Sequence, residues 1–230
     1  MAKVGLVVPV LRNFRGLAEL LFSCRQEVYP VILDNWRHTT RCVGASWNEG
    51  IEIAVGAGCT HVLVSNDDVI LGRRTIPELV NALDTIEKCV LATGRNTRVG
   101  ERGPPPVDID ACAVDNYGEA PDFSCFMVRK DFFDLIGRFD SCFRPGYFED
   151  NSAHYRIKLA GLHAYNVGKA PMYHAGSVTQ NFPGQPPACS SSQFNANREL
   201  YKRIWGGVPG EEKFTSPYND PAKTFRDHVS

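Results

Sequence analysis

The chain has 230 residues, with 25 Lys and Arg against 26 Asp and Glu for a formal net charge of −1, and 43% of its residues are apolar. Such a chain is long enough to bury a sizeable core, and its neutrality offers no general attraction to nucleic acid or anionic membrane. No apolar run approaches the roughly 20 residues of a membrane span, and the stretch Val4 to Val10, interrupted by Pro9, is too short for a secretory leader.

Val4 to Val8 is a continuous apolar run and predicts a strand covered on both faces. Gly16 to Glu27 carries Leu17, Leu20, Leu21 and Cys24 at helical spacing. Val31 to Leu33 predicts a second strand, ending at Asp34-Asn35. Ser46 to Val55 predicts a helix with Trp47, Ile51 and Ala54 on one side, stopped by the glycines at 56 and 58. His61 to Ser65 predicts a third strand that runs into Asn66-Asp67-Asp68. Thr75 and Glu78 are spaced as a capping box, ahead of a helix whose buried face is Leu79, Val80, Leu83 and Ile86. Cys89 to Ala92 predicts a fourth strand. This alternation implies a largely parallel sheet with helical crossovers.

Arg95 to Asp122 holds Arg95, Arg98, Arg102 and Pro104-Pro105-Pro106 and reads as a long loop, its arginines either clamping phosphate or solvating the segment. Phe123 to Val128 then predicts a strand and Asp131 to Ile136 a short helix. A further helix spans about Asn151 to Ala160, and His163 to Val167 is another strand. Pro183 to Ser192 reads as a linker and Asn195 to Trp205 as a last helix. The cysteines at positions 24, 42, 59, 89, 112, 125, 142 and 189 show no C-x-x-C spacing, so they read as reduced core thiols of a cytoplasmic protein.

In open parallel sheets, ligands bind beyond the carboxyl ends of the strands. That rule gathers Pro9 to Asn13, Asp34-Asn35 and Asn66-Asp67-Asp68 at one site. Carboxylates at two strand ends suit a hard divalent cation that bridges phosphates, and on spacing alone they suit turn formation or helix capping equally well.

Val7-Val8-Pro9-Val10, then Gln26 through Asp34-Asn35, then Val62 to Val69 resemble the N-terminal half of the family 2 glycosyltransferases of the GT-A fold. The second half is more specific. Phe126 to Lys130 followed by Ile136-Gly137-Arg138-Phe139-Asp140 resembles the family's stretch ending in Gly-Gly-Phe-Asp. Tyr147-Phe148-Glu149-Asp150, then Tyr155 to Gly161, then His174 with Thr179 nearby complete the pattern. The resemblance covers roughly residues 4 to 182, with a weaker echo at Tyr201 and Trp205-Gly206-Gly207. It implies an α/β chain of the GT-A fold, with a mostly parallel central sheet and helices on both faces. Residues 1–100 would form the nucleotide-sugar and metal half, 101–182 the acceptor and catalytic half, and 183–230 a C-terminal extension.

The resemblance also implies roles. Asn66-Asp67-Asp68 stands where the family has Asp-x-Asp, so Asp68 inherits ligation of Mn2+ (or Mg2+) at the donor diphosphate. Asn66 replaces the usual first Asp and removes one charge, and Asp67 takes a supporting part. Asp34 matches the carboxylate that contacts base and ribose, although Trp36 and Arg37 follow where the family has Gly-Ser after the Asn. Pro9 and Val10 fall to the donor site as well. Glu149-Asp150 matches the acidic pair whose Asp acts as general base, kept ionised by the helix N-terminus; without the resemblance, Asp150 reads as a helix cap. Ser152 stands where the family often has another Asp. His174 matches a C-terminal metal or diphosphate contact, and its imidazole favours Mn2+. Arg156 reads as structural, pairing with an acidic neighbour, and His154 as solvent-facing. Lys202, Arg203 and Trp205 either line an acceptor or anchor the last helix.

The function so implied is inverting transfer of a sugar from a nucleotide-sugar, a UDP-sugar above others, to an acceptor hydroxyl. The acceptor would be a glycan or lipid-linked sugar, with a protein or a modified nucleobase as further candidates; for the last, no basic stripe is visible. The alternative is a catalytically weak sugar-nucleotide-binding module, which Asn66 and Ser152 support. A dinucleotide oxidoreductase would need a Gly-rich turn after the first strand, and Val8-Pro9-Val10-Leu11-Arg12 has none.

Overall fold

The computed structural model describes residues 2–35, 42–98 and 103–230; Trp36, Arg37 and Arg102 lie outside the described residues. In chain order, β1 (Val4–Val10), α1 (Phe14–Ser23), β2 (Tyr29–Asp34), α2 (Val43–Gly56) and β3 (His61–Ser65) follow the predicted alternation. After them come β4 (Val69–Leu71), α3 (Thr75–Thr85), β5 (Cys89–Asn96), β6 (Tyr117–Gly118), β7 (Cys125–Arg129) and α4 (Phe132–Ile136). The last elements are α5 (Glu149–Leu159), β8 (His163–His174) and α6 (Ser191–Trp205). No described helix is long and apolar enough to cross a membrane.

The strands form one sheet in the order β2-β1-β3-β7-β5-β8-β4, with β6 paired to β8. β2, β1, β3, β5 and β8 point the same way, while β7, β4 and β6 run against them. The sheet is therefore mostly parallel in direction, but its centre is not. Strand β7 is inserted between β3 and β5, antiparallel to both. Helices cover both faces, and the strands alternate between two cores. Leu6, Val8 and Val10 of β1 pack with Leu20 of α1 and Leu79 and Leu83 of α3. Val7 points the other way, towards Trp47, Ile51 and Ala54 of α2 and Ile157 of α5.

The capping box predicted at Thr75 does not form. Thr75 is fully buried and its hydroxyl donates to the Pro171 carbonyl of β8 at 2.6 Å, while Glu78 pairs with Arg74 at 3.0 Å. Asp110, from the long loop, caps the helix instead, its two carboxylate oxygens accepting from the backbone N–H groups of Arg73 (3.1 Å) and Arg74 (3.0 Å). A distant carboxylate here takes over the local motif, because burial in the sheet claims the threonine. The predicted loop also contains the end of β5 and all of β6.

The eight cysteines are free thiols. Burial pushes Cys89 up to about 11 and Cys125 up to about 12, so these sulfurs pack as small apolar groups.

Beneath α5 lies a buried polar knot. Arg156 and Asp140 are both essentially inaccessible, with Nη2 and Oδ2 3.5 Å apart, and Arg156 Nη1 donates to the Arg138 carbonyl at 2.7 Å. Asp140 also accepts from Ser152 Oγ at 2.5 Å and from the Val229 N–H at 2.8 Å, and Trp205 Nε1 donates to Ser152 Oγ at 2.9 Å. The arginine pairs with an acidic neighbour as predicted, and Trp205 anchors α6 rather than lining a surface. Removing one partner of a buried ion pair strands the other, at about 3–5 kcal/mol. Arg156→Met is accordingly expected to lower the unfolding free energy by about that amount in urea melts.

Candidate active site

The site lies where the parallel strands end, and two reversed strands complete it. Because β7 is antiparallel to β3, its beginning meets the end of β3, and the Asn66 N–H donates to the Ser124 carbonyl at 2.8 Å. Because β4 is antiparallel to β8, Val69 lies opposite His174, so Asp68, the residue before Val69, sits at the end of β8. The Ala175 N–H donates to the Asp68 carbonyl at 3.0 Å, which fixes the join. The outcome is a direct contact, His174 Nε2 to Asp68 Oδ1 at 3.1 Å.

Asn13 locks the neighbouring turn. Its Oδ1 accepts from the Gly16 N–H at 3.0 Å, capping α1, and its Nδ2 donates to the Asp67 carbonyl at 3.1 Å. Gly16 is required by this approach: a Cβ there would stand 2.1 Å from the Asp67 carbonyl oxygen. On the far side, Glu149 and Asp150 are the first two residues of α5, so that helix begins earlier than predicted.

One cavity of about 390 Å³ joins these groups. Pro9, Asn66, Asp67, Asp68, Glu149, Asp150 and His174 all line it. Val10 does not; it is fully buried in the core, and its carbonyl accepts from the Asn35 N–H at 2.8 Å. Asp34 closes β2 behind the wall, and the adjacent Asn35 supplies the lining. Asp122 is a further wall residue, outside the sequence-predicted site. Its signal was its place just before an apolar strand, but a parallel sheet would have put that end on the opposite edge. Ser152, by contrast, is spent in the knot with Trp205 and Asp140. His154 is half-buried, and burial, reinforced by Lys158, lowers its pKa.

Residues 175–190 fold across the acidic end. Thr179 Oγ1 donates to Asp67 Oδ1 at 3.1 Å, and the Gln180 amide grips the Cys189 backbone at both N–H (2.9 Å) and carbonyl (2.5 Å). Arg12 Nη1 donates to the Pro186 carbonyl at 2.7 Å. Arg98 donates to the Ala175 carbonyl, and Arg95 to that of Cys112 at 2.5 Å. These two arginines therefore tie loops down through backbone carbonyls.

The electrostatics are one-sided. Asp67, Asp68, Asp122, Glu149 and Asp150 line the cavity, and among the described residues no Lys or Arg does. Burial, with the charge of Asp68, pushes Asp67 up to about 6 against hydrogen bonds that lower it. Burial and then the charge of Asp150 raise Glu149 well above the ordinary carboxylate range, and its Oε2 is buried without a hydrogen-bond partner. Burial also raises Asp150, assisted by Asp122 and opposed by backbone N–H groups such as that of Asn151 at 2.8 Å. The backbone N–H groups at the start of α5 act in the direction expected of the helix N-terminus, and burial raises the carboxyl on balance. For His174, burial acts to lower the pKa, but the hydrogen bond to Asp68 and the charges of Asp68 and Asp122 raise it overall.

The donor set suits a divalent cation. An octahedral ion with ligand distances of about 2.1 Å holds neighbouring donors about 3.0 Å apart, and the Asp68 and His174 donor atoms are 3.1 Å apart. The Asp67 Oδ2 is buried without a hydrogen-bond partner. Among the described residues no group of three or more His, Cys, Asp or Glu side chains is arranged to hold an ion.

No protein-family model and no curated protein sequence matches the chain. Solved structures do. S. aureus TarS 1-349 in complex with UDP-GlcNAc is similar at TM-score 0.53 and 14% identity, over 74% of this chain and 58% of that one. The catalytic domain of Drosophila β1,4-galactosyltransferase 7, in complex with xylobiose, is similar at TM-score 0.53 and 14% identity, over 86% and 80%. GalNAc-T7 with UDP, GalNAc and Mn2+ is similar at TM-score 0.62 and 10% identity, over 89% and 48%. The chain thus spans less than two thirds of the TarS fragment and about half of the GalNAc-T7 chain. At these identities the likeness concerns architecture, and it establishes that this chain has the GT-A fold.

Proposed function

We propose that the protein is a divalent-metal-dependent, inverting glycosyltransferase that moves a sugar, a hexose in our reading, from a UDP-sugar to an acceptor hydroxyl. The observation that carries this is the single cavity containing both the Asp68–His174 pair and the Glu149-Asp150 pair. The UDP, UDP-GlcNAc and Mn2+ bound by fold neighbours support the choice of donor and ion.

Asp68 and His174 would hold the ion, with Asp67 and Asn66 in support. A bound Mn2+ (or Mg2+) would supply Lewis-acid stabilisation of the departing diphosphate. That requirement is acute here, because five carboxylates line the cavity that a diphosphate would enter. Pro9 and Asn35 border the nucleoside end, near Asp34. Asp150 accepts the proton of the acceptor hydroxyl as that oxygen bonds to the anomeric carbon; the carbon–oxygen bond to the diphosphate breaks, and UDP leaves with the electron pair. Attack opposite the leaving group in one displacement inverts the anomeric centre. Glu149, buried next to Asp150 at the start of α5, orients the acceptor or braces the loop.

The test is nucleotide release across a panel of UDP-, GDP- and dTDP-sugars, with Mn2+ and with EDTA. The expected result is turnover of a UDP-sugar that stops in EDTA. Equal release in EDTA would defeat metal dependence, and preference for a GDP- or dTDP-sugar would defeat the choice of donor.

A further inference from the structure

Two consecutive non-glycine residues, Tyr147 (φ +74°) and Phe148 (φ +80°), hold left-handed backbone directly before Glu149. Bulky side chains rarely adopt this conformation, and it persists only where the surroundings impose it. Its consequence is a division of the two rings. Phe148 turns inward, 6% exposed, against Phe143 and Tyr201. Tyr147 turns outward, 42% exposed, into the wall of the cavity that holds Asp150. Phe194 of α6, 38% exposed, packs edge-on to Tyr147 with ring centroids 5.3 Å apart at 76°, and also touches Phe148 at 5.2 Å. An exposed aromatic pair beside the proposed base is a place where a ring-shaped, hydroxyl-bearing molecule gains contact area at little entropic cost.

We propose that Tyr147 and Phe194 form the acceptor platform and that the acceptor is a neutral pyranoside. The platform rests on the reading of Asp150 as base and adds the identity of what Asp150 deprotonates. A pyranose presents a face of C–H groups that packs on an aromatic ring, with hydroxyls at its edge for polar groups to reach. Charge narrows the class. Glu149 and Asp150 follow Tyr147 by two and three residues and line the same cavity, so an anionic or phosphorylated acceptor would meet their negative charge. An acyclic polyol has no such face to stack.

The experiment is saturation-transfer NMR on the full chain with Mn2+ and UDP. The probes are methyl β-glucoside, methyl β-galactoside and methyl β-xyloside, set against sorbitol and glucose 6-phosphate. At least one methyl pyranoside is expected to receive saturation at its ring C–H protons, and sorbitol and glucose 6-phosphate are not. Tyr147→Ala is expected to weaken that binding by at least about tenfold and Phe194→Ala by about threefold, while Tyr147→Phe holds it within about twofold. UDP affinity, measured in parallel by calorimetry, is expected to be unchanged in all three. No pyranoside binding, equal binding of sorbitol or glucose 6-phosphate, or Tyr147→Ala binding as wild type would each overturn the platform. Loss of UDP binding in the wild-type chain would instead overturn the donor reading, and the pyranoside titrations still decide the platform because they are repeated without nucleotide.

Discussion

Asp150→Asn is expected to lower kcat for sugar transfer by roughly 10²–10⁴-fold, the usual contribution of a general base, with UDP affinity within about twofold of wild type. The substitution keeps the shape of the residue and removes its ability to take a proton. Asp150 stands on α5, across the cavity from the Asp68–His174 pair, so binding and proton transfer belong to different elements. A large loss of UDP binding in this variant would mean that the roles are wrongly divided.

The same residue sets the pH dependence. Burial raises the Asp150 carboxyl above its ordinary value of 3.8, so the acidic limb of kcat is expected at higher pH than an exposed aspartate would give. The stability of the unliganded protein should carry the matching sign. Asp150 and Glu149 bind protons more tightly in the native state than in the unfolded chain. Stability from this pair is therefore greatest at low pH and declines as pH rises from the ordinary carboxylate range through the raised native values. Urea melts at a series of pH values would show this slope, and Glu149→Gln should flatten it.

Asp68→Ala is expected to cost roughly 10²–10⁴-fold in turnover, because metal ions contribute several kcal/mol at a departing diphosphate. The variant should also lose the dependence of UDP binding on Mn2+. His174→Ala should do the same to a smaller extent, since the carboxylate carries the charge and the imidazole completes the pair. The two side chains are only 6% and 17% exposed and partner each other, so both variants are expected to melt somewhat below wild type. Mn2+-stimulated UDP binding that survives Asp68→Ala would move the ion elsewhere in the cavity.

Much of the fold could be read from apolar periodicity, and the errors have a common origin. Period and caps describe a segment, whereas pairing partners depend on contacts far away in the chain. The runs at Val4 to Val8 and His61 to Ser65 predict β1 and β3 correctly. Nothing local says that Cys125–Arg129 enters between β3 and β5 in reverse. That one insertion brings Asp122 to the ligand edge. In the same way, three-residue β4 is too short to show a period, yet its pairing with β8 is what sets Asp68 against His174. The site residues carried by resemblance, Asn66 to Asp68, Glu149, Asp150 and His174, do converge on one cavity. Val10 does not, because its side chain falls on the core phase of β1. Tyr147 was visible in the sequence only as part of the motif before Glu149; its exposure follows from two left-handed residues that no propensity foretells.

Metal-dependent donor binding is tested by calorimetric titration of UDP into the purified 230-residue chain with Mn2+ present and again with EDTA. Saturable one-to-one binding is expected with Mn2+, lost in EDTA and in Asp68→Ala. Binding of equal strength in EDTA, or no binding with Mn2+, would contradict that expectation.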